Sequence, residues 1–157
     1  MASYTAKIVW QRQYDETFVD CKYNRAHWWE FDGGAKVAAS ASPHIVPKPY
    51  SVEENVDPEE AFVASLSSCH MLLFLHIAAQ KGFVVESYID DAIGEMKKNE
   101  QGKISITKVM LRPDILFSGD KQPTIEDLKI MHHQSHDECF IANSVKTEVV
   151  TEILFKP

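Results

Sequence analysis

The segment DPEEAFVASLSSCHMLLFLHIAA, Asp57–Ala79, decides the fold. Its left edge carries the marks of a helix start. Asp57 offers an N-cap acceptor, Pro58 suits the first helical position where a missing N–H costs nothing, and Glu59 and Glu60 answer the positive end of the helix dipole. From Ala61 to Ala79 the segment is apolar on nearly all sides, and Gly82 supplies the stop. A helix apolar all round cannot lie on a surface; it needs cover on more than one side. The segment therefore predicts a central helix wrapped by sheet and by a second subunit. The longest nearly unbroken apolar run, Met71–Ala79, contains His76 and falls short of the ~20 residues that a bilayer crossing takes, so a core role and no membrane are expected.

Working outward, Tyr4–Trp10, Thr17–Lys22 and Lys36–Ser42 read as strands, the last introduced by the turn signal Asp32-Gly33-Gly34. Residues Ser42–Val56 contain Pro43, Pro47 and Pro49 and form a loop long enough to suggest a functional flap. Beyond the helix, Val84–Lys98 and Lys103–Phe117 form a hairpin around Asn99–Gly102. Ser118–Gln122 is a loop, Thr124 with Asp127 makes a capping box that opens a helix through Asp137, and Val145–Phe155 alternates as a closing strand. Strands, helix, hairpin, helix, strand is the order of an α+β fold on mostly antiparallel sheet, and residues 1–157 are expected to be a single domain.

The 16 basic and 23 acidic residues leave a net charge of −7, which argues against a general binder of nucleic acid or anionic membranes. The N-terminus lacks a basic-then-apolar secretory pattern, and three cysteines are too few for a disulfide scaffold, so reduced thiols and a cytoplasmic location are expected. No phosphate loop, dinucleotide fingerprint or Ser-His-Asp order is visible.

Two cysteines sit in settings that invite chemistry. Cys69 lies mid-helix behind Ser65, Ser67 and Ser68, which keep the helix narrow there, and Cys139 ends the second helix. The bland reading makes Cys69 a small buried hydrophobe. A reactive Cys69 must be a thiolate, and at twelve residues past Asp57 it is beyond the reach of the helix dipole. A guanidinium from elsewhere suits the task, with Arg12, Arg25 and Arg112 as candidates. His132, His133, His136 and Cys139 have a zinc-like helical spacing, but no fourth ligand is evident, and histidines near a helix C-terminus also answer the dipole. No metal is therefore assigned. His70 and His76 read as packing or hydrogen-bonding residues. Trp28, Trp29, Phe31, Phe62, Phe74 and Phe140 read as core, or as an apolar wall that would favour an organic substrate.

The helix segment from Asp57 to Met71 resembles the first signature of the OsmC/Ohr family, the osmotically inducible and organic hydroperoxide resistance proteins. His136-Asp-Glu-Cys139-Phe-Ile-Ala-Asn143-Ser144 resembles the second, and Tyr23-Asn-Arg25 with Phe31-Asp-Gly-Gly34 resembles the N-terminal segment. The resemblance implies an OsmC-like fold in which mostly antiparallel sheets wrap two long central helices of an intertwined homodimer. It also implies a cofactor-free thiol peroxidase that reduces organic hydroperoxides to alcohols. Carried over, Cys69 is peroxidatic and Cys139 resolving through a disulfide, Arg25 contacts the thiolate, and Glu59 holds Arg25. A dithiol, such as that of a lipoylated protein, is the implied reductant. Along one helix Glu59 and Cys69 are about 15 Å apart by rise and on different faces, so only an arginine's length, a bend or the partner subunit could join them. Cys69-His-Met with Cys139-Phe-Ile-Ala-Asn-Ser resembles a separate OsmC-like branch more than the Ohr type. A non-catalytic redox-sensing or ligand-binding protein, and a zinc protein using the histidine cluster, are the alternatives. Cys21 has no assigned role.

Overall fold

The structure, a computed structural model that describes residues 1–156, divides into two units, Met1–Ala61 and Phe62 to the C-terminus, with the division inside one long helix. In the first unit, β1 (Lys7–Val9), β2 (His27–Glu30) and β3 (Lys36–Ala39) form an antiparallel sheet in that order. The β2–β3 connection is the anticipated Asp32-Gly33-Gly34 turn, and Gly34 takes a positive φ of 90° that favours glycine. Glu30 holds the register by meeting Lys7 and Lys36, its cross-strand partners, at 3.3 Å each.

Strand β2 was not among the expected strands. His-Trp-Trp-Glu shows no apolar–polar alternation, and its strand character comes from aromatic residues paired on both edges. Conversely, Thr17–Lys22 is a turn and not a strand. The Asp20 carboxylate accepts from Thr17 Oγ1 at 2.8 Å and from the Lys22 N–H at 3.0 Å, and Cys21 takes a φ of 63°. A short acidic side chain has outcompeted the ladder for the backbone.

The loop Ser42–Val56 is pinned. Ser40 and Val56 N–H groups bond across a parallel bridge between Ala39 and Val56, Ser40 Oγ accepts from the Val52 N–H, and Ser51 Oγ donates to the Val46 carbonyl. Ser40, Ser42 and Ser51 are buried, so these bonds replace water that the loop has lost.

Helix α1 (Pro58–Gln80) opens on a capping box that pairs Asp57 with Glu60: the Glu60 N–H donates to Asp57 Oδ1 at 2.8 Å, and the Asp57 N–H donates to Glu60 Oε2. Within the second unit it is covered in two halves. Leu66, with Phe62 and Val63, packs against Val109, Leu111, Ile141 and Val149; Phe74, Ile77 and Ala78 pack against Phe83, Leu128 and Met131. One stripe at four-residue spacing, Ala64, Ser68, Leu72 and His76, stays exposed, Leu72 at 61%. By length and composition the whole of α1 is long and apolar enough to cross a bilayer, a property that a core helix shares. Here that apolarity covers the core.

The two long strands expected in the hairpin are each broken in two. Strands β4 (Val84–Asp90) and β7 (Pro113–Ser118) pair as one antiparallel sheet. Strands β5 (Ile93–Lys98), β6 (Ile104–Leu111) and β8 (Glu148–Thr151) form a second. Buried Pro113 cannot donate to a ladder, and Asp90 reinforces the break by accepting the Arg112 N–H at 2.6 Å on one oxygen and the Ser67 hydroxyl on the other. Strand β8 runs parallel to β6, the exception in an otherwise antiparallel arrangement. Helix α2 (Ile125–Glu138) starts on the Thr124–Asp127 capping box. Two helices with these sheets are the α+β architecture implied by the resemblance.

Gly94 lets β5 approach α1: a Cβ there would come within 2.6 Å of Val63 Cγ2, on a β-branched side chain that cannot swing aside. Gly94→Ala is expected to cost about 1–3 kcal/mol, lowering Tm by roughly 2–4 °C per kcal/mol, as read by thermal unfolding.

Candidate active site: a cysteine pair between two helices

Helix α2 presents Leu128, Met131, His132 and Ser135 as its buried stripe, and Cys139, its C-cap, continues that stripe. On α1 the buried residues are Leu66, His70, Phe74, Ile77 and Ala78. Two contacts join these faces. His132 stacks on Phe74 with ring centroids 4.4 Å apart, and His70 Nε2 meets His132 Nδ1 at 2.9 Å. Next to His70 on α1, Cys69 lies close enough to Cys139 to act on its ionisation. The structure thus brings together the two cysteines that lie 70 residues apart in sequence, both as free thiols.

The pair is asymmetric. Cys69 is half-buried, whereas Cys139 is 1% exposed. Burial, and then the neighbouring Cys69, push the Cys139 thiol up to about 11 from its ordinary 9.0, which keeps it protonated. Cys139 is held by the turn that follows α2. Its Sγ accepts the Ala142 N–H at 3.4 Å, its carbonyl accepts the Asn143 N–H, Asn143 Nδ2 donates to the Asp137 carbonyl at 2.8 Å, and Ser144 Oγ donates to the Phe140 carbonyl. Cys69 is thus the more exposed residue of the two, and Cys139 is the proton-bearing neighbour. Ala142, whose N–H reaches Cys139 Sγ, belongs to an apolar cluster with Leu66, Ile141 and Val145.

The other residues singled out from the sequence fall as follows. The Arg25 guanidinium lies over the Tyr23 ring, 3.7 Å from its centroid, and donates to the carbonyls of Cys21 and Tyr23. Arg25 and Glu59 form no ion pair among the described residues. Glu59 stands in the first turn of α1, half-buried; Glu60 is already committed to Asp57. Cys21 is exposed. The histidine cluster is dispersed: His132 is buried on His70, and exposed His133 meets Asp137 at 3.2 Å. No metal-binding group of histidine, cysteine and carboxylate side chains exists among the described residues. Phe140 is 76% exposed and Trp28 lies under Lys36, so neither is core. His76 is exposed, whereas His70 has the hydrogen-bonding role anticipated for it.

The His70–His132 bond was not read from the sequence. Nothing in a one-dimensional pattern pairs two histidines on different helices, although the i+7 spacing of His132 and Cys139 does place them on one face of α2. Burial holds both rings neutral, His70 at about 4 and His132 at about 3 against an ordinary 6.5. His70 Nδ1 is buried without a partner among the described residues. A bare lone pair is cheaper to strand there than an N–H, which makes His70 Nε2–H the donor and His132 Nδ1 the acceptor.

The family model described as OsmC-like protein matches residues 52–153. An OsmC-like protein of unknown function from Vibrio cholerae is 61% identical, with 98% of this chain and 100% of that chain covered and a TM-score of 0.97. An organic hydroperoxide resistance protein OsmC from Legionella pneumophila has the same fold at 16% identity, with 97% and 96% covered and a TM-score of 0.64. An organic hydroperoxide resistance protein from Bacillus subtilis is similar in fold at 16% identity, with 95% and 97% covered and a TM-score of 0.60. No curated protein matches the chain in sequence.

The buried histidines predict acid sensitivity. Below 6.5 the unfolded chain takes up protons that the folded rings refuse, so the stability contributed by the neutral pair is complete above about pH 6.5 and is lost as pH falls toward about 4. Each histidine contributes a slope of up to roughly 1.4 kcal/mol per pH unit in that window. Denaturant unfolding between about pH 7 and about pH 5 is expected to show this slope, and His132→Phe to flatten it.

Proposed function

This chain belongs to the OsmC-like protein family, and from that premise we propose that it is a cysteine-based peroxidase that reduces organic hydroperoxides to alcohols. The observation that carries the reading is the proximity of Cys69 and Cys139: a half-buried cysteine beside a buried thiol that burial holds protonated. That is the arrangement a two-cysteine reduction needs. The Cys69 thiolate attacks one peroxide oxygen, the O–O bond breaks, and the alkoxide leaves and is protonated to the alcohol. Cys69 is now a sulfenic acid. Cys139 attacks its sulfur, the hydroxyl departs with the Cys139 proton as water, and a disulfide joins the two. An external dithiol, such as a lipoyl group, returns both to thiols.

The apolar cluster of Leu66, Ile141, Ala142 and Val145, which meets Cys139 through Ala142, supports a peroxide with an organic substituent over hydrogen peroxide. Arg25 is proposed to supply the positive charge that the thiolate needs, with Glu59 as its holder. Arg25 must then leave the Cys21 and Tyr23 carbonyls, and Glu59 suits the holder better than Glu60, whose carboxylate already accepts the Asp57 N–H. The working unit is proposed to be a homodimer. The exposed stripe Ala64, Ser68, Leu72 and His76 is the side of α1 that one chain leaves uncovered, and a second copy would cover exposed Leu72 there.

Purified protein is expected to consume cumene or tert-butyl hydroperoxide in the presence of a dithiol, at least about tenfold faster than hydrogen peroxide. Cys69→Ser is expected to fall to background, and full turnover by that variant would end the proposal. Cys139→Ser should accumulate a Cys69 sulfenic acid that dimedone traps.

A further inference from the structure

We propose that the Cys69–Cys139 disulfide is opened at Cys69 only: the reducing thiol bonds to the Cys69 sulfur, and Cys139 is the leaving group. The inference rests on the two-cysteine reading for the disulfide itself, and its new content is which sulfur the reductant touches.

Thiol–disulfide exchange needs the attacking thiolate to approach the target sulfur from the side opposite the bond that breaks, so access is a condition and not a modifier. Cys139 is 1% exposed within a single chain, and association with any partner can only bury it further. The turn over it is closed by four bonds, from Ala142 N–H to its Sγ, from Asn143 N–H to its carbonyl, from Asn143 Nδ2 to Asp137, and from Ser144 Oγ to Phe140. Attack at Cys139 would require that turn to open. Cys69, on the middle of α1, is only half-buried and has no such turn over it.

One effect opposes this direction. The lower-pKa thiol is the better leaving group, and burial makes Cys139 the poorer one. The leaving-group effect scales a rate, however, whereas occlusion removes the trajectory, so access wins. The Ala142 N–H aimed at Cys139 Sγ moderates the penalty by donating to the sulfur as negative charge develops on it.

The exchange balances. The reductant's first thiol gives up its proton, forms a bond to Cys69 Sγ, and the S–S bond breaks with its electron pair on Cys139, which takes up the proton. The second thiol of the same reductant then loses its proton and attacks the reductant's own sulfur. Cys69 leaves as a thiolate, and the reductant departs as a cyclic disulfide, two electrons poorer. Because Cys139 regains its proton in a buried site, its return attack on the mixed disulfide is slow. A monothiol therefore stalls as an adduct on Cys69, and a dithiol completes the cycle.

The test starts from full-length protein oxidised with diamide, so it does not depend on peroxide turnover. The disulfide form is treated with N-acetylcysteine, quenched in acid, alkylated after denaturation and mapped by peptide mass spectrometry. The adduct is expected on Cys69 with Cys139 alkylated; an adduct on Cys139, alone or in comparable amount, overturns the inference. Asn143→Ala, which removes the side-chain anchor to Asp137 without touching either sulfur, supplies a second measurement. The rate of disulfide reduction is expected to stay within about twofold, whereas an increase of about tenfold would show that reduction waits for the turn to open and would overturn it. Failure of diamide to join Cys69 to Cys139 is a different result: it removes the disulfide, and the peroxidase reading with it.

Discussion

Covering α1 is the constraint on which the second unit depends. A helix of 23 residues with hydrophobic groups on every side cannot be satisfied by one sheet face. The chain answers by dividing its strands into two sheets, one under each half of the helix, and by laying α2 along the C-terminal half. The break at Asp90 and Pro113 is where that division happens. Asp90 ties both strands at the break to Ser67 of α1. One carboxylate thus links the place where the sheets part to the helix that requires them to part.

The same packing sets the chemistry of the cysteines. Helix α2 meets α1 through Phe74, His70 and His132, and the end of α2 then falls beside Cys69. Because Cys139 is a helix C-cap followed by a tight turn, its sulfur is buried under its own backbone, whereas Cys69 sits on a side of α1 that is narrowed by serines. Two identical functional groups thus sit in different surroundings. The buried thiol of Cys139 resists both ionisation and attack. Keeping both histidines neutral avoids a buried positive charge at the helix crossing, at the cost of stability in acid.

How much could be read in advance differs between elements, and the difference is physical. The start of α1 and the Thr124–Asp127 box were readable because capping acts across three residues. The Asp32-Gly33-Gly34 turn was readable because a positive φ favours glycine. Strand β2 and the turn at Thr17–Lys22 were misread. In the first, pairing on both edges made a strand without alternation; in the second, the Asp20 carboxylate took the Thr17 hydroxyl and the Lys22 N–H into a turn. The histidine cluster resembled a metal site because spacing along a helix says which residues share a face, but not what lies opposite.

By itself the sequence determined the positions of α1, α2 and the hairpin, and it marked Cys69 and Cys139 as the residues to examine. Those are consequences of local backbone preference and of composition along a few turns. Only the tertiary structure decided that the long strands split, that β8 runs parallel to β6, that His70 bonds to His132 across 62 residues, and that Cys139 and not Cys69 is the occluded sulfur. Burial and partnership are set by segments far apart in the chain, and no window of sequence contains both sides of such a contact.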